Sequence, residues 1–405
     1  MSQKSIAALY MRGGTSKGVF LRANDLPSDP QERDTLLARI LGSPDPWGRQ
    51  TDGMGGATAA TSKVVLLAPS RRDDSDVDYL FGQVALDSSR IDWSGHCADL
   101  TAAVGPYALW QGWVKPAPGA GRATVRLWQQ NLGRRIVAHV PMCDGKVQED
   151  GSFREDGVAF PGAEISLEYL DAARPDVANG GDKGDKADKS GDKNGKTGLL
   201  PTGNASDVLE IPELGPVRVT LINAGDPTIF VRADALGLTG REMPEAVNRN
   251  TRLLAKLEAI RAHGAVAMRL ARNAEETTRS RPGAPALSFI AKPASYRSSV
   301  GEEVSRESID VLGRILSMGK LHPAYTGPGS IALAIAAALP GSVVSEVTRT
   351  LPGVPTRIGH VSGVMAVGAF LAQDAGGWSV EKVVMSHSAR RIMEGVVYVP
   401  DGGLF

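Results

Sequence analysis

Apolar residues in this chain gather in short runs separated by Gly-, Asp- and Pro-rich breaks. Runs rich in Val, Ile and Leu with such boundaries read as strands. They predict strands over Ile6–Tyr10, Val19–Leu21, Val64–Leu67, Tyr79–Leu86, Thr124–Gln129 and Arg135–Pro141. Later come Val217–Ile222, Ile229–Ala233, Ala286–Ala291, Thr356–His360, Val364–Leu371 and Val396–Val399. The near-helical spacing of Arg33, Leu36, Leu37 and Ile40 predicts a helix over Pro30–Leu41, and Glu242–Gly264 reads as a second. Leu100–Trp113 and Ile331–Leu339 are apolar on every side, as buried helices are. Gly105-Pro106 counts against continuity in the first, because proline removes a helix hydrogen bond.

Each buried helix follows a glycine-rich turn. The turn at His96-Cys97 and the stretch Leu321–Ser330 read as counterparts in two halves, although their residue identity is weak. Helix N-termini offer free N–H groups and positive partial charge, so two such starts suit a dicarboxylate or tricarboxylate. Between the halves, residues 175–198 read PDVANGGDKGDKADKSGDKNGKTG, with almost no apolar side chains. Such a stretch cannot offset its ordering entropy by burial and is expected to be a disordered insertion. The expected domains are therefore 1–174 and 199–381, with a strand from about residues 382–405 returning to the first.

Composition narrows the class. The chain has 405 residues, 42% of them hydrophobic, and Lys+Arg equals Asp+Glu at 45 each. A zero net charge without a basic stripe argues against a nucleic-acid partner. No apolar run approaches the length of a membrane span, and MSQKSIAALYMRGG lacks a signal-peptide core, so no membrane partner is expected. Two cysteines, Cys97 and Cys143, in so long a chain fit a reducing cytoplasm.

Candidate chemistry concentrates between Thr51 and Trp110. Lys63 ends a Gly-Thr-Ser loop just before an apolar strand, where partial desolvation would make it a usable base. A surface lysine at a strand start is the commoner case. Cys97 precedes the buried helix, a place where a thiol pKa is expected to fall. A buried structural cysteine is the alternative, since free cysteine is among the most buried residue types; Cys143 reads as structural. The six histidines form no H-x-x-x-H or H-x-H pair and give no zinc spacing, so no metal is expected. Gly13-Gly14-Thr15-Ser16-Lys17-Gly18 lacks the order of a phosphate loop. A Cys-His thiol protease does not fit the surrounding motifs.

These segments together resemble the PrpF family of 2-methylaconitate cis-trans isomerases. The matching stretches are MRGGTSKGVF, GSPDPWGRQTDGMGGATAATSKV, DVDYLFGQV, IDWSGHCADLTAAVGPYAL, FPGAEISL, LPTGN, VTLINAGDPTIFV, LSMGKLH and SARRIMEGVVYVP. They run in order through nearly the whole chain outside the Asp-Lys insertion. The resemblance implies an α/β (α+β) diaminopimelate-epimerase-like fold: two pseudo-symmetric domains, each a mixed sheet wrapped around a central helix, with the site in the cleft between them. It implies catalytic Lys63 and Cys97, no cofactor and no metal. Carboxylates are expected on Thr15, Ser16, Ser62, Gly95, His96, Ser317, Met318, Gly319 and His322. The second-domain turn holds no cysteine, so a two-thiol racemase mechanism is not expected. The chain departs from the family's usual S-G-N-C-G-N, N-A-G-N-P and G-H-P-S-G. It has Ser94-Gly95-His96-Cys97-Ala98-Asp99, Asn223-Ala224-Gly225-Asp226-Pro227 and Gly359-His360-Val361-Ser362-Gly363.

The implied activity is isomerisation of 2-methylaconitate in the 2-methylcitrate cycle of propionate catabolism, with a small tricarboxylate as partner and a homodimer allowed. Alternatives are 4-oxalomesaconate tautomerase, aconitate isomerase or, in another class, a non-catalytic tricarboxylate-binding protein.

Overall fold

The computed structural model of the chain describes residues 3–93, 95, 97–170, 198–280, 283–317, 319–351, 353–374 and 377–400. Expectations for residues 175–197, His96 and Met318 lie outside the described residues. In chain order the elements begin β1 (Gln3–Gly13), β2 (Ser16–Arg22), α1 (Pro30–Leu41), β3 (Lys63–Pro69), β4 (Val77–Val84), β5 (Ile91–Asp92) and α2 (Ala98–Trp110). Next are β6 (Arg122–Gln129), β7 (Arg134–Cys143), β8 (Lys146–Val147), β9 (Ile165–Tyr169), β10 (Asp207–Ile211), β11 (Gly215–Ala224) and β12 (Asp226–Arg232). Then come α3 (Pro244–Asn248), α4 (Thr251–Ala267), α5 (Ala274–Ser280), β13 (Ala286–Ala291), β14 (Tyr296–Arg297), β15 (Glu303–Val304), β16 (Val311–Ser317) and β17 (Lys320–Leu321). The series ends with α6 (Gly327–Ala338), β18 (Thr356–His360), β19 (Gly363–Asp374), β20 (Gly377–His387) and β21 (Ala389–Pro400).

The contacts divide the chain into two units, Met1–Tyr169 with Ser386–Phe405, and Leu170–Met385. In the first, the strands run β21-β1-β2-β3-β4-β6-β7-β9. Only β2–β3 and β4–β6 are parallel. In the second they run β10-β11-β12-β13-β16-β18-β19-β20. Only β12–β13 and β16–β18 are parallel. The order of parallel and antiparallel neighbours is thus the same in both. The short strands β5 and β17 add to β4 and β16 at matching places. The repeat that weak residue identity only suggests is visible in the pairing.

Each unit wraps its sheet around one apolar helix. Helix α2 packs against β1, β2, β6, β7, β9 and β21, and α6 against β11, β12, β18 and β19. Every residue from Leu100 to Ala108 is buried, as is every residue from Gly329 to Ala337. These are the mixed sheets on central helices expected of the diaminopimelate-epimerase-like fold. Helix α2 runs unbroken through Pro106. Its neighbour explains why glycine precedes the proline: a Cβ on Gly105 would lie 2.8 Å from Val140 Cγ2 on β7. Burial outweighs the missing hydrogen bond.

A second apolar layer covers the outer face of each sheet. Leu36, Leu37, Ile40 and Leu41 of α1 pack with Val19, Leu21, Val64 and Leu66. In the second unit Leu257 and Ile260 of α4 pack with Leu221, Ile229 and Phe289. Helix α1 has the span read from spacing: the Asp29 carboxylate accepts from Glu32 N–H at 2.9 Å, and Gly42 takes the left-handed conformation at the other end. The single helix expected over Glu242–Gly264 is instead two. The chain stops at Arg249 and restarts when the Asn250 side chain accepts from Leu253 N–H. The C-terminal strand is longer than Val396–Val399 and pairs with β1 from Gln3↔Pro400 to Gly13↔Ala389.

Candidate active site

Lys63 is the first residue of β3 and pairs in register with Gln83 of β4. Its half-buried ammonium donates to Gln83 Oε1 at 3.2 Å and lies 5.1 Å from the Phe81 ring centroid. Gln83 in turn donates from Nε2 to the Ser62 carbonyl at 2.9 Å. The loop before Lys63 is built around buried Gln50. Its Nε2 donates to Ser43 Oγ at 2.9 Å, and its Oε1 accepts from Ser62 Oγ at 2.7 Å and from Ala57 N–H at 2.9 Å. A Cβ on Gly55 would lie 2.1 Å from that Oε1, so the glycine lets the amide enter. Asp45 closes the loop by accepting from the N–H groups of Trp47, Arg49 and Gln50. The long Gly-rich motif therefore fixes the strand start that carries Lys63. Within it the Ser62 hydroxyl is an internal tie, fully buried.

Cys97 is the N-cap residue of α2. Its carbonyl accepts from Thr101 N–H and Thr101 Oγ1, but its side chain makes no cap. The thiol instead points at Ser16, donating toward Oγ at 3.7 Å. A helix start is expected to lower a thiol's pKa; here it is raised. Burial dominates and pushes it up, Lys63 pulls it down, and Asp99 pushes it up again. The sulfur is held as S–H, the form of a proton donor.

Thr15 lies in the β1–β2 turn and Ser16 opens β2, and both hydroxyls donate to Asp99 Oδ2, at 2.7 and 3.0 Å. The turn can reach Asp99 because it is made of glycine. A Cβ on Gly13 would lie 2.3 Å from the Asp99 carbonyl oxygen, and one on Gly14 2.6 Å from Asp99 Oδ1. Gly18 has the same role toward β3, since a Cβ there would lie 2.7 Å from the Lys63 carbonyl oxygen. The motif MRGGTSKG is thus a contact surface for the two expected catalytic residues and not a phosphate loop. Gly95 is exposed, with open space about its Cα.

Two polar residues beside this site, Glu155 and His387, lie outside every motif read from the sequence. His387 Nδ1 is 2.6 Å from Glu155 Oε1 and 3.9 Å from Asp99 Oδ1. Glu155 Oε2 accepts from Ser388 N–H and Oγ at 3.0 and 3.1 Å. Arg12 donates to the carbonyls of Gly14 and Ser388, tying the turn to the end of the chain. Burial works against a charged His387, yet its bond to Glu155 and the charges of Glu155 and Asp99 raise its pKa. Donor atoms of Asp99, Glu155 and His387 lie within 4.8 Å of one another, a spacing that metal sites use. Hydrogen bonds already engage them: hydroxyls on Asp99, and imidazole and Ser388 on Glu155.

The second unit places Ser317 and Gly319 in a turn closed by Ser317↔Lys320, with Gly319 at φ +74°. His322 follows, its N–H donating to the Ile315 carbonyl and its Nδ1 accepting from Ala324 N–H at 3.1 Å. Burial lowers its pKa, which keeps it neutral. His360 is lowered further, to about 4, by burial and then by Arg314 and His322.

Known proteins resemble this chain over its full length. The family model described as PrpF protein matches residues 3–400. A 2-methyl-aconitate isomerase of Shewanella oneidensis is 48% identical over 404 residues, covering 98% of each chain. A protein of the same name from Cupriavidus necator is 46% identical with the same coverage. A crystal structure of methylitaconate-delta-isomerase is 35% identical, with a TM-score of 0.86 over 100% of this chain and 98% of that one. Fold and relatives together make the protein an isomerase. More narrowly, the chain belongs to the PrpF family.

Proposed function

We propose that this isomerase interconverts the cis and trans forms of 2-methylaconitate. The observation that carries the reading is a lysine and a thiol in opposite roles in one unit. Lys63 has an amide and an aromatic ring as neighbours and, among the described residues, no carboxylate partner. Cys97 is held protonated by its surroundings. The relatives at 46–48% identity support the substrate.

As a mechanism, Lys63 in its neutral form removes a proton from the carbon that is conjugated, through the double bond, with a carboxylate. The electron pair moves into the conjugated system and gives a dienolate. The former double bond then has single-bond character and rotates. Cys97 S–H returns a proton to the same carbon, and the double bond re-forms in the other geometry. The resulting thiolate and ammonium are reset by proton exchange with each other or with water. N–H groups at the open start of α2 stabilise the developing carboxylate charge. Within the second unit, the Ser317–Gly319 turn and neutral His322 offer donors of carboxylate-binding type. The chemistry needs one base and one acid, and the reading includes no cofactor. Among the described residues no helix is long and apolar enough to cross a membrane, and the reading places the enzyme in the cytoplasm with its free tricarboxylate substrate.

Proton NMR in D₂O tests the reading. With 2-methylaconitate, the cis/trans ratio should change and deuterium should enter the deprotonated position. Turnover of oxalomesaconate or aconitate with none of 2-methylaconitate would reassign the substrate. Binding of all three without exchange would overturn catalysis.

A further inference from the structure

Asp99 stands in the first turn of α2 and takes no cap role there. Its Oδ2 instead accepts both the Thr15 and the Ser16 hydroxyl hydrogens. A hydroxyl has one hydrogen. With that hydrogen on Asp99, the Ser16 oxygen can only present lone pairs to the Cys97 sulfur, 3.7 Å away. The direction of the chain is therefore fixed: Cys97 S–H to Ser16 Oγ, and Ser16 O–H to Asp99. We propose that Asp99 is the positioning residue for Cys97, setting the hydrogen-bond direction through Ser16 so that the sulfur stays a thiol and delivers a proton rather than attacking as a thiolate.

Two other features are built to serve this carboxylate. Gly14 leaves the space it occupies, as a Cβ there would collide with the carboxylate, while Gly13 lets the turn approach the Asp99 backbone. Behind it, His387 is 3.9 Å from Oδ1 and is itself fastened to Glu155. The charged and titratable groups that face Asp99 are Arg12 from β1, Glu155 from its loop, His387 from the end of β20, Tyr169 from β9 and Cys97 itself. Those that face Cys97 are Lys63 from β3, Tyr79 from β4, Tyr169 and Asp99. Among the groups facing Cys97, neutralising Asp99 leaves Lys63 as the charged neighbour, and its charge is positive.

The inference rests on the proposed donor role of Cys97, but its test reads the thiol directly and needs no substrate. In a Cys143→Ser background Cys97 is the chain's one remaining thiol. Its alkylation by iodoacetamide is followed against pH by mass spectrometry, since only the thiolate reacts. Asp99→Asn should speed alkylation at pH 7 by about tenfold, because a like charge is lost and the Ser16 hydrogen is freed toward sulfur. Asp99→Glu should stay near the parent rate. Ser16→Ala should change little alone but remove part of the gain in Asp99→Asn, a non-additivity expected of residues in one network. Circular dichroism selects folded variants, and if Asp99→Asn fails to fold, the same reading is taken from Asp99→Ser. An unchanged or slower alkylation profile in the folded variant overturns the proposal, as does full additivity with Ser16→Ala. Failure of 2-methylaconitate turnover with the alkylation result intact would instead strike the substrate reading alone.

Discussion

Helix α2 begins at Cys97, whose side chain leaves the helix uncapped, whereas α6 begins at Thr326, whose hydroxyl accepts from Gly329 N–H at 3.2 Å. The frames around the two starts are otherwise alike. In each unit a hairpin glycine presses on the carbonyl of the helix's second residue: a Cβ on Gly13 would lie 2.3 Å from Asp99 O, and one on Gly225 2.3 Å from Pro328 O. The residue at that second position is an aspartate in one unit and a proline in the other. The strand that follows the hairpin in parallel starts with Lys63 in the first unit and with Ala286 in the second. One architecture has thus been filled twice. Where the chain closes its own helix end, the groups are quiet; where it leaves the end open, a thiol, a carboxylate and a lysine gather. An N-cap is typically worth about 1 kcal/mol, and α2 forgoes it to keep the Cys97 side chain turned toward Ser16.

The sharpest way to break this contrast is Lys63. Lys63→Ala should lower turnover by about 10²–10⁴-fold while substrate binding by calorimetry weakens modestly. Lys63→Arg should be nearly as inactive, because a guanidinium stays protonated and cannot take the proton. Activity of Lys63→Arg within a few-fold of the parent would make Lys63 a carboxylate holder and not a base. Next in size, Cys97→Ser should lose about 10–10²-fold of turnover, with Cys143→Ser close to the parent, since Cys143 is exposed. Equal small effects in initial rates would leave the two helix starts chemically alike.

The histidines extend the contrast to stability. His387 has a raised pKa in the folded chain, so its contribution is complete below its ordinary value near 6.5 and is lost as pH rises through the folded value. His360 is lowered to about 4, so the unfolded chain binds its proton first and stability is lost as pH falls from about 6.5 toward that value. Denaturant titrations across pH should show slopes of opposite sign that vanish separately in His387→Gln and His360→Gln. A common slope would show that the two sites are coupled. The smallest effect belongs to the caps. Thr326→Ala should cost about 1 kcal/mol of stability with turnover nearly intact, while Cys97→Asp should add several tenths of a kcal/mol and lose turnover. Melts and initial rates on the same samples would sharpen or sink the trade between cap and chemistry.

Local signals are legible in the amino-acid order itself. Helix α1, strand β13 and strand β18 have the bounds that their patterns predict, because spacing, an Asp cap and β-branched runs decide them locally. Met11–Gly18 reads as a loop between strands, but strand pairing continues to Gly13↔Ser16 and leaves only Gly14-Thr15 as the turn, because the glycines allow close approach to Asp99. What stays hidden depends on distant partners. Glu155 and His387 are 232 residues apart in the chain, and neither sits in a motif of its own. Gln50 reads as one more polar loop residue until its amide is seen holding Ser62. The helix end alone favours a fall in the Cys97 pKa, but the depth of burial and Asp99 outweigh it. The break at Asn250 escapes a pattern reading because apolar spacing continues across it.

The pairing of β21 with β1 has a consequence for how the molecule is made. The second unit takes its strands from one continuous stretch, but the first must wait for β21, which is synthesised after that whole stretch. Until then β1 carries a bare edge, and exposed strand edges invite pairing with other chains. His387 and Ser388 arrive on that same returning segment, so the hydrogen bonds behind Asp99 form only after the second unit's stretch has been made. A chain truncated before β21 would therefore keep the strands of its second unit but expose the β1 edge of its first, and would lack the His387 and Ser388 contacts behind Asp99.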